Sequence, residues 1–308
     1  MRIKWLENPN IDFMGKRKIA YAVSSVLVLV GLISLLLRLT PLGSLFGIRQ
    51  TWSIDFTGGR LVQVYVEAPI DQVRSATIKM GLRAEIQNVG QAHEFLIKYK
   101  EDVEPDSLVR GLERILGKKV RLDRAEHVGP KIGAELREKA LILTIVGLLV
   151  ILFYIWLRFD ILFGLAATIA LFHDVIITWG LHSLFGFETD MTVIAALLTL
   201  IGYSINDSIV VADRVREYLG RFRLIDVSPK DLERIFNDAI NSTLSRTVIT
   251  SFTTFIVVFS LLLFGGPVLF NFAFILTVGV FVGTYSSIFV VSSLVLDWRL
   301  RGLRRKGK

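Results

Sequence analysis

The stretch ALILTIVGLLVILFYIWL occupies residues 140–157 and contains 18 residues without a charged side chain. A helix rises about 1.5 Å per residue, so a run of roughly this length crosses a hydrocarbon core about 30 Å thick. Comparable, mostly apolar runs occupy residues 19–37, 161–187, 191–212, 247–264 and 268–296. The sequence therefore predicts a polytopic α-helical membrane protein with six transmembrane helices.

The composition supports this class and excludes several kinds of chemistry. Hydrophobic residues make up 52% of the 308 residues and charged residues 21%, which is more apolar than an ordinary soluble domain. The chain contains no cysteine, so disulfides, thiolate metal sites and cysteine nucleophiles are excluded. We expect no cofactor, no metal site and no enzymatic activity. The net charge of +8 lies largely beside the membrane runs, so we expect no nucleic-acid partner.

The distribution of lysine and arginine predicts the orientation. Five of these residues lie in segment 1–18, one follows the second run, seven lie in segment 213–246 and six lie in the tail 297–308. The short connections 182–190 and 265–271 contain none. Because basic short loops stay in the cytoplasm, we expect both termini there and the insertion 38–139 on the opposite side. The run at 19–37 is long and lacks a cleavage-site pattern, so we expect an uncleaved anchor.

The insertion 38–139 has the pattern of a small α+β domain. Residues 61–66, 83–89, 95–99 and 120–126 have strand patterns, and helical patterns at 70–80 and 105–116 separate the first strand from the second and the third from the fourth. This βαββαβ order is that of a ferredoxin-like domain. Its two histidines, His93 and His127, are isolated, so we expect a binding or docking module.

The cytoplasmic segment 213–246 contains an amphipathic helix. Ser228, Pro229 and Asp231 form a helix-start pattern, and apolar residues follow at i, i+3 and i+4 spacing up to Leu244. Two interpretations remain open. The helix either lies on the inner membrane face as a structural element or transmits movement between the fourth and fifth spans.

Two carboxylates lie inside predicted spans. His173 and Asp174 occupy the middle of the third span, and Asn206 and Asp207 interrupt the fourth. An ionised carboxylate at the bilayer centre costs at least about 2.5 kcal/mol, so these side chains should face protein or water. Each can be purely structural, satisfied by hydrogen bonds between helices. For Asp207 we favour a functional role, because Tyr203, Ser204 and Arg214 share its helical face and form a polar stripe.

The fifth span offers partners for Asp207 at a matching depth. It begins at Arg246 and carries the hydroxyls of Thr250, Ser251 and Thr254. The guanidinium can reach toward Asp207 and favour its ionised form, while burial disfavours that form. A carboxylate under such opposing influences can be switched by a conformational change, as a proton relay requires. Alternatively, the hydroxyls bond to their own helix and Arg246 extends toward the lipid headgroups.

The sixth span carries small residues along one stripe. Gly279 and Gly283 are four residues apart, and Ser287 continues the same spacing. Small residues let two helices approach closely, so we expect this stripe to pack against another helix of the bundle.

Several spaced blocks together resemble the SecD/SecF family of protein-export membrane proteins, within the resistance-nodulation-division superfamily. The blocks are IDFTGG at 54–59, VGP at 128–130, HD at 173–174, GYSINDSIVVADR at 202–214, RT at 246–247, FGGP at 264–267 and GTYSS at 283–287. The resemblance runs almost end to end. The segment 217–229 is longer than in some relatives, and no SecD half is fused to the chain.

The resemblance implies a fold, partners and residue roles. It implies that the chain is the smaller partner of SecD in a twelve-helix unit of the bacterial cytoplasmic (inner) membrane. That unit would use the proton gradient to pull preprotein outward from SecYEG, with YajC and YidC as further candidate partners. Asp207 would carry the proton, Arg246 would modulate its charge, and His173, Asp174, Asn206 and the fifth-span hydroxyls would tune or hydrate the path. Asp55, Gly58 and Gly59 belong to the family motif in the outer domain.

Three other functions remain open. Half of a proton-driven exporter of lipids or drugs would share the intramembrane acids, but an outer domain of about 100 residues is small for a substrate-carrying domain. An intramembrane aspartyl protease would use Asp174 and Asp207 as a pair that shares a proton, but a Gly-x-Gly-Asp context is missing at both. A passive translocon assembly factor would conduct no ion.

Overall fold

The computed structural model describes residues 9–46, 48, 52–88, 93–222 and 227–306. Arg2 and Lys4 of the basic N-terminal segment, the last residue of the strand predicted at 83–89 and Lys308 of the basic tail lie outside the described residues. The first elements of the described residues are one long helix, α1 (Arg17–Leu39), a 3-10 turn at Pro41–Phe46 and a single helical turn, α2 (Ile54–Thr57).

A small domain follows α2. Its elements are β1 (Gly59–Tyr65), α3 (Ile70–Lys79), β2 (Glu85–Asn88), β3 (Glu94–Tyr99), α4 (Pro105–Leu116) and β4 (Arg121–Val128). The four strands form one antiparallel sheet in the order β2-β3-β1-β4. The predicted βαββαβ order is therefore present, with β3 inserted between β1 and β2 as in a split βαβ arrangement.

Local sequence signals explain the helices and the core of this domain. The helix α4 has Pro105 at its first position and is capped after Leu116 by Gly117, whose φ of 66° is the left-handed conformation that favours glycine. Alternate residues of β1, Val62 and Val64, are fully buried because successive side chains of a strand point to opposite faces. They pack with residues of β3 and α4 into a separate apolar core.

The remaining helices form the membrane bundle. They are α5 (Pro130–Arg158), α6 (Ile161–Leu184), α7 (Met191–Leu219), α8 (Pro229–Phe264) and α9 (Gly266–Tyr285), followed by a π-helical segment (Ser286–Val291) and α10 (Ser292–Lys306). Within the described residues, six helical segments are long and apolar enough to cross a membrane, the sixth running from Val268 to Leu303. The prediction of six transmembrane helices is confirmed.

Two boundaries differ from the sequence prediction. The helix α5 begins at Pro130, ten residues before the expected boundary at 140. The segment 213–246 is mostly helical, because α7 continues to Leu219 and α8 begins at Pro229. Neither glycine nor proline interrupts the sequence between Lys230 and Phe264, so the predicted amphipathic helix and the fifth span form one continuous helix.

The apolar side of the N-terminal half of α8 is covered by protein. Leu232, Ile235, Phe236 and Ala239 are buried in the main core of the bundle. The segment that precedes α1 also packs against α8, since Asn237 accepts hydrogen bonds from the backbone N–H groups of residues 13 and 14 at 2.9 Å. The structure therefore corrects the expectation of a separate helix that lies on the membrane face.

Glycine allows a very close approach between α1 and α6. A Cβ atom placed on Gly180 would lie 2.2 Å from the Cα atom of Gly31 and 2.9 Å from its carbonyl oxygen. The two backbones therefore touch without side chains between them, which is the geometry that small residues permit in membrane helices. This glycine pair was not predicted from the sequence, whose expected small-residue stripe lies at Gly279 and Gly283.

Candidate functional site

Asp174 is the centre of a buried polar cluster where three elements meet. Its carboxylate is 1% exposed. One oxygen accepts hydrogen bonds from Ser204 of α7 at 2.5 Å and from Ser286 at 2.7 Å, and the other lies 2.8 Å from Nδ1 of His173. With three close partners, Asp174 is well satisfied inside the bundle.

The cluster extends from His173 to α1. Nε2 of His173 lies 3.0 Å from the hydroxyl of Ser24, which lies 3.1 Å from the hydroxyl of Tyr285. Tyr285 donates to the carbonyl oxygen of Ala20 at 2.8 Å and stacks on the His173 ring. The chain of contacts joins α1, α6, α7 and α9, so it fixes the relative positions of these helices.

The partner Ser286 begins the π-helical segment. A π turn inserts an extra residue into a helix, and such turns occur often at functional sites. Here the turn places Ser286 and Ser287 in the buried interior, both fully buried. Ser287 was predicted to be a packing residue, and the hydrogen bond from Ser286 to Asp174 was not predicted.

Asp207 lies in a different and poorer environment. Its side chain is 2% exposed, and its one hydrogen-bond partner among the described residues is the hydroxyl of Ser251 in α8, at 3.4 Å. The Ser251 hydroxyl lies 2.7 Å from that of Thr284 in α9. The prediction that fifth-span hydroxyls lie beside Asp207 thus holds for Ser251.

The other predicted relay residues do not contact Asp207. Arg246 is exposed and pairs with no carboxylate of the described chain within 4.0 Å. Thr250 and Thr254 donate to backbone carbonyls of their own helix at 3.0 Å. Asn206 is exposed on the outside of α7. Within the described part of this chain, the expected contact between the Arg246 guanidinium and the Asp207 carboxyl group is not formed.

The residues of the polar stripe expected on α7 have partners on different helices and do not form one connected site. Ser204 pairs with Asp174, and Arg214 bonds Ser242 at 2.9 Å and Glu217 at 2.5 Å. No hydrogen bond joins Asp174 to Asp207 within the described residues. The two acids therefore occupy separate sites, unlike a protease pair that shares one proton.

The small-residue stripe of α9 faces α7. A Cβ atom on Gly279 would lie 2.5 Å from Leu200, and one on Gly283 would lie 3.3 Å from Cβ of Ser204. Ser287 donates to the carbonyl of Thr284 at 3.0 Å. The glycines thus bring α9 close enough to α7 for Ser286, which lies just beyond them, to reach Asp174.

The motif at 54–59 joins the small domain to the bundle. Asp55 accepts a hydrogen bond from the backbone N–H of Met191, the first residue of α7, at 3.2 Å. Gly58 has a φ of +74°, and a Cβ atom there would lie 3.1 Å from Pro130 at the start of α5. Gly59 has a φ of +147°, and its Cβ atom would lie 2.7 Å from the carbonyl oxygen of Tyr99. The contacts of Asp55 and Gly58 thus connect the small domain to the first turns of α7 and α5.

A second contact between the domain and the bundle was missed in the sequence. Lys98 of β3 donates to Glu188, in the connection between α6 and α7, at 2.7 Å. Both side chains are largely buried, at 10% and 15% exposure. Asn271 of α9 donates to the Glu188 carbonyl at 3.1 Å and to Asp190 at 2.7 Å. Lys98 and Glu188 are 90 residues apart, so no local pattern could reveal this pair.

We expect this junction to tighten as pH falls from about 8 toward 4.5. Burial and the neighbouring Glu85 carboxyl raise the pKa of Glu188 from 4.5 to about 8, against the opposing effect of Lys98, and burial also raises the pKa of Asp55. The docked state thus binds protons more tightly than the undocked state. The free energy by which protonation stabilises the docked state is fully present below the ordinary pKa of the carboxyl group. It declines as pH rises toward 8, by at most about 1.4 kcal/mol per pH unit per group.

Spin labels on introduced cysteine pairs test this pH dependence, since the chain contains no cysteine of its own. One label belongs on the exposed side of α4 and the other near the C-terminal end of α6. The distance distribution should broaden between pH 6 and pH 8.5, and Glu188→Gln should reduce that change. An identical pH response in the Glu188→Gln protein would show that Glu188 is not the titrating group.

The comparisons with known proteins agree with one another. The family model described as "Protein export membrane protein SecD/SecF, C-terminal" matches residues 110–301. The chain is 45% identical to protein translocase subunit SecF of Desulfurispirillum indicum, over 94% of this chain and 92% of that protein. It is 40% identical to protein translocase subunit SecF of Calditerrivibrio nitroreducens, over 96% of each chain. These relatives are named as translocase subunits, in agreement with the expectation of a non-enzymatic transport component.

A solved structure gives the same result. The crystal structure of SecDF from Thermus thermophilus matches with a TM-score of 0.81 and 40% identity. The match covers 96% of this chain and 40% of that chain, so this chain spans about two fifths of the fused protein. Sequence, family model and fold agree over nearly the whole length. The chain therefore belongs to the SecD/SecF family of protein-export membrane proteins, among its SecF members.

Proposed function

We propose that this protein promotes protein export together with SecD, using the proton motive force across the bacterial cytoplasmic membrane. Its role in protein export follows from its family. The observation that carries the proton-driven part is Asp207, which is buried inside a membrane span and makes a single long hydrogen bond with the part of the chain that the structure describes. An ionised carboxylate in such a place is expensive, so a proton that binds and leaves there changes the energy of the surrounding helices.

The contrast with Asp174 supports this assignment. Asp174 has three close partners on three elements and holds the bundle together. Asp207 has a weak partner and lies at the side of the bundle where α7 meets α8. A group that must gain and lose a proton needs an environment that can change, and the sparse contacts of Asp207 provide it.

The proposed partner SecD explains the exposed polar side chains nearby. Asn206 of α7 and Arg246 of α8 are exposed although they lie in or beside membrane spans. Lipid cannot satisfy these groups. In a twelve-helix unit, SecD would cover them and would bring Arg246 into the environment of Asp207. SecYEG and the emerging preprotein are further partners of the proposed unit, and YajC and YidC are additional candidates.

The proposed orientation places both termini in the cytoplasm and the small domain on the outer side. The pair Lys98–Glu188 fixes the domain to the end of the bundle where connection 182–190, which carries no lysine or arginine, lies. The opposite end carries ion pairs of basic residues, including Arg17 with Glu233 at 2.9 Å and Arg299 with Asp160 at 3.4 Å. This asymmetry matches the rule that basic segments remain inside.

The membrane potential can supply enough free energy to change the conformation of such a unit. One elementary charge that crosses 100 mV yields about 2.3 kcal/mol, which corresponds to a change of about 50-fold in an equilibrium constant. That is enough to shift a two-state protein, provided that proton binding favours one state.

We expect photocrosslinkers at positions 206 and 250 to capture a second polytopic membrane protein in native membranes. The same probe at Leu149, an apolar side chain of α5 that is 61% exposed, serves as the control and should capture mainly lipid. Mass spectrometry identifies the captured protein, which we expect to be SecD. If all three positions yield only lipid, the proposed interface is wrong.

A further inference from the structure

A lateral cleft opens between α5, α6 and α7 in the outer half of the bundle. Its volume is about 300 Å³. Leu148 of α5, Leu171 of α6 and Ile201 of α7 line its inner part, and Trp52 and Phe56 cover its outer end. This cleft is separate from the Asp207 site and from the junction at Lys98.

The cleft opens toward the lipid. Two of its lining side chains, Leu141 of α5 and Phe172 of α6, are 61% and 45% exposed on the side of the bundle. The helix α5 packs loosely, since three of its 29 residues, Gly133, Ala140 and Ile155, are buried. A ligand from the bilayer could therefore reach the cleft sideways without a change in the fold.

The length of the cleft matches one leaflet. Its α5 side runs from Arg137 to Leu148, which at 1.5 Å per residue is about 16 Å. Half of a hydrocarbon core is about 15 Å thick. The outer end of the cleft thus lies at the headgroup level and the inner end near the middle of the membrane.

Almost every polar group along the cleft is already satisfied. The indole N–H of Trp179 donates to Thr189 at 3.2 Å, and that of Trp52 donates to the Leu39 carbonyl at 3.1 Å. The Thr144 hydroxyl donates to the carbonyl of Ala140 at 2.8 Å. These residues present apolar surface to the cleft and offer no hydrogen bond to a ligand.

Arg137 is the exception. It lies at the rim and is exposed. Among the described residues it has no hydrogen-bonding or ion-pair partner, because the nearby Glu135 pairs with Lys139 at 2.7 Å. A guanidinium binds phosphate with two parallel hydrogen bonds. The cleft therefore combines one cationic group at headgroup level with an apolar channel of leaflet length.

We propose that this cleft is a binding site for an anionic phospholipid of the outer leaflet, with the phosphate on Arg137 and one acyl chain between α5, α6 and α7. The charge at the rim selects the headgroup, and the apolar walls select the chain. Such a lipid would fill the space beside α5 and hold that helix against α6 and α7.

Native mass spectrometry of the full chain in mild detergent tests the site. The probe is phosphatidylglycerol, compared with phosphatidylcholine and with diacylglycerol, which lacks the phosphate. We expect one phosphatidylglycerol to remain bound, phosphatidylcholine to bind more weakly and diacylglycerol to bind weakest. Arg137→Gln should weaken phosphatidylglycerol binding about tenfold or more, as loss of a charged hydrogen bond does.

Two variants separate the site from general effects. Lys131→Gln removes an exposed charge from the same end of α5, outside the cleft, and should leave binding unchanged. Thr144→Trp should exclude the lipid by filling the cleft, while Arg137→Gln keeps the space and loses the headgroup contact. Equal lipid binding by the wild-type and Arg137→Gln proteins would overturn the proposal. So would a protein helix captured by a photocrosslinker at position 144.

Discussion

Asp207→Asn is expected to abolish the stimulation of protein export by the proton gradient while the protein still assembles. The amide keeps the size of the carboxyl group and can still accept the hydrogen bond from Ser251. It cannot bind and release a proton. The loss should equal the whole gradient-dependent part of export, measured as the rate of signal-sequence cleavage of a secreted reporter with and without an uncoupler.

Asp174→Asn and Ser251→Ala are the matched controls. Asp174 is equally buried but is held by Ser204, Ser286 and His173, so its amide variant should retain much of the gradient-dependent export. Ser251→Ala removes the hydrogen-bond partner that Asp207 has among the described residues and should have an intermediate effect. Copurification with SecD measures assembly in each case. Normal export by the Asp207→Asn protein would favour a passive assembly factor.

Gly180→Ala should destabilise the bundle more than any surface substitution. The added Cβ atom would lie 2.2 Å from the Cα atom and 2.8 Å from the carbonyl carbon of Gly31. Because both contacts are with backbone, no side chain can move aside, and α1 must shift away from α6. That shift also lengthens the contact between Ser24 and His173, now 3.0 Å. Overpacking of this kind costs about 1–3 kcal/mol and occasionally more.

Gly164→Ala provides the comparison within the same helix. Its Cβ atom would meet Cγ2 of Ile155 at 3.7 Å, an ordinary contact, and alanine favours a helix over glycine by up to about 1 kcal/mol. Thermal unfolding in detergent should show a lower midpoint for Gly180→Ala and an equal or higher midpoint for Gly164→Ala. Equal midpoints for both variants would mean that the close approach of α1 and α6 does not limit stability.

The sequence could predict the elements of this fold because their signals are local. Long apolar runs determine the spans, and the alternation of apolar and polar residues indicates strands such as β1. Pro105 at the start and Gly117 after the end indicate the bounds of α4. The boundaries of α5 and α8 were harder to predict. Charged and polar residues do not end a helix when glycine and proline are missing, so α8 continues from Pro229 to Phe264.

The partners of the buried acids depend on helix rotation and could not be predicted in the same way. Ser204 and Asp207 are three residues apart and differ by only about 60° around the axis of α7. That small angle is enough for Ser204 to face Asp174 of α6 while Asp207 faces Ser251 of α8. Arg246, four residues before Thr250, lies on the exposed side of α8, and its predicted role depends on a partner chain.

The most direct test of the proton-relay account measures ion flux and translocation together. Inverted membrane vesicles or proteoliposomes that contain the purified unit and SecYEG receive an imposed proton gradient, and proton movement is followed beside preprotein uptake. The account predicts that wild-type protein shows both, that Asp174→Asn retains most of each, and that Asp207→Asn loses the gradient-dependent part of both. Wild-type proton flux and translocation in the Asp207→Asn protein would contradict it.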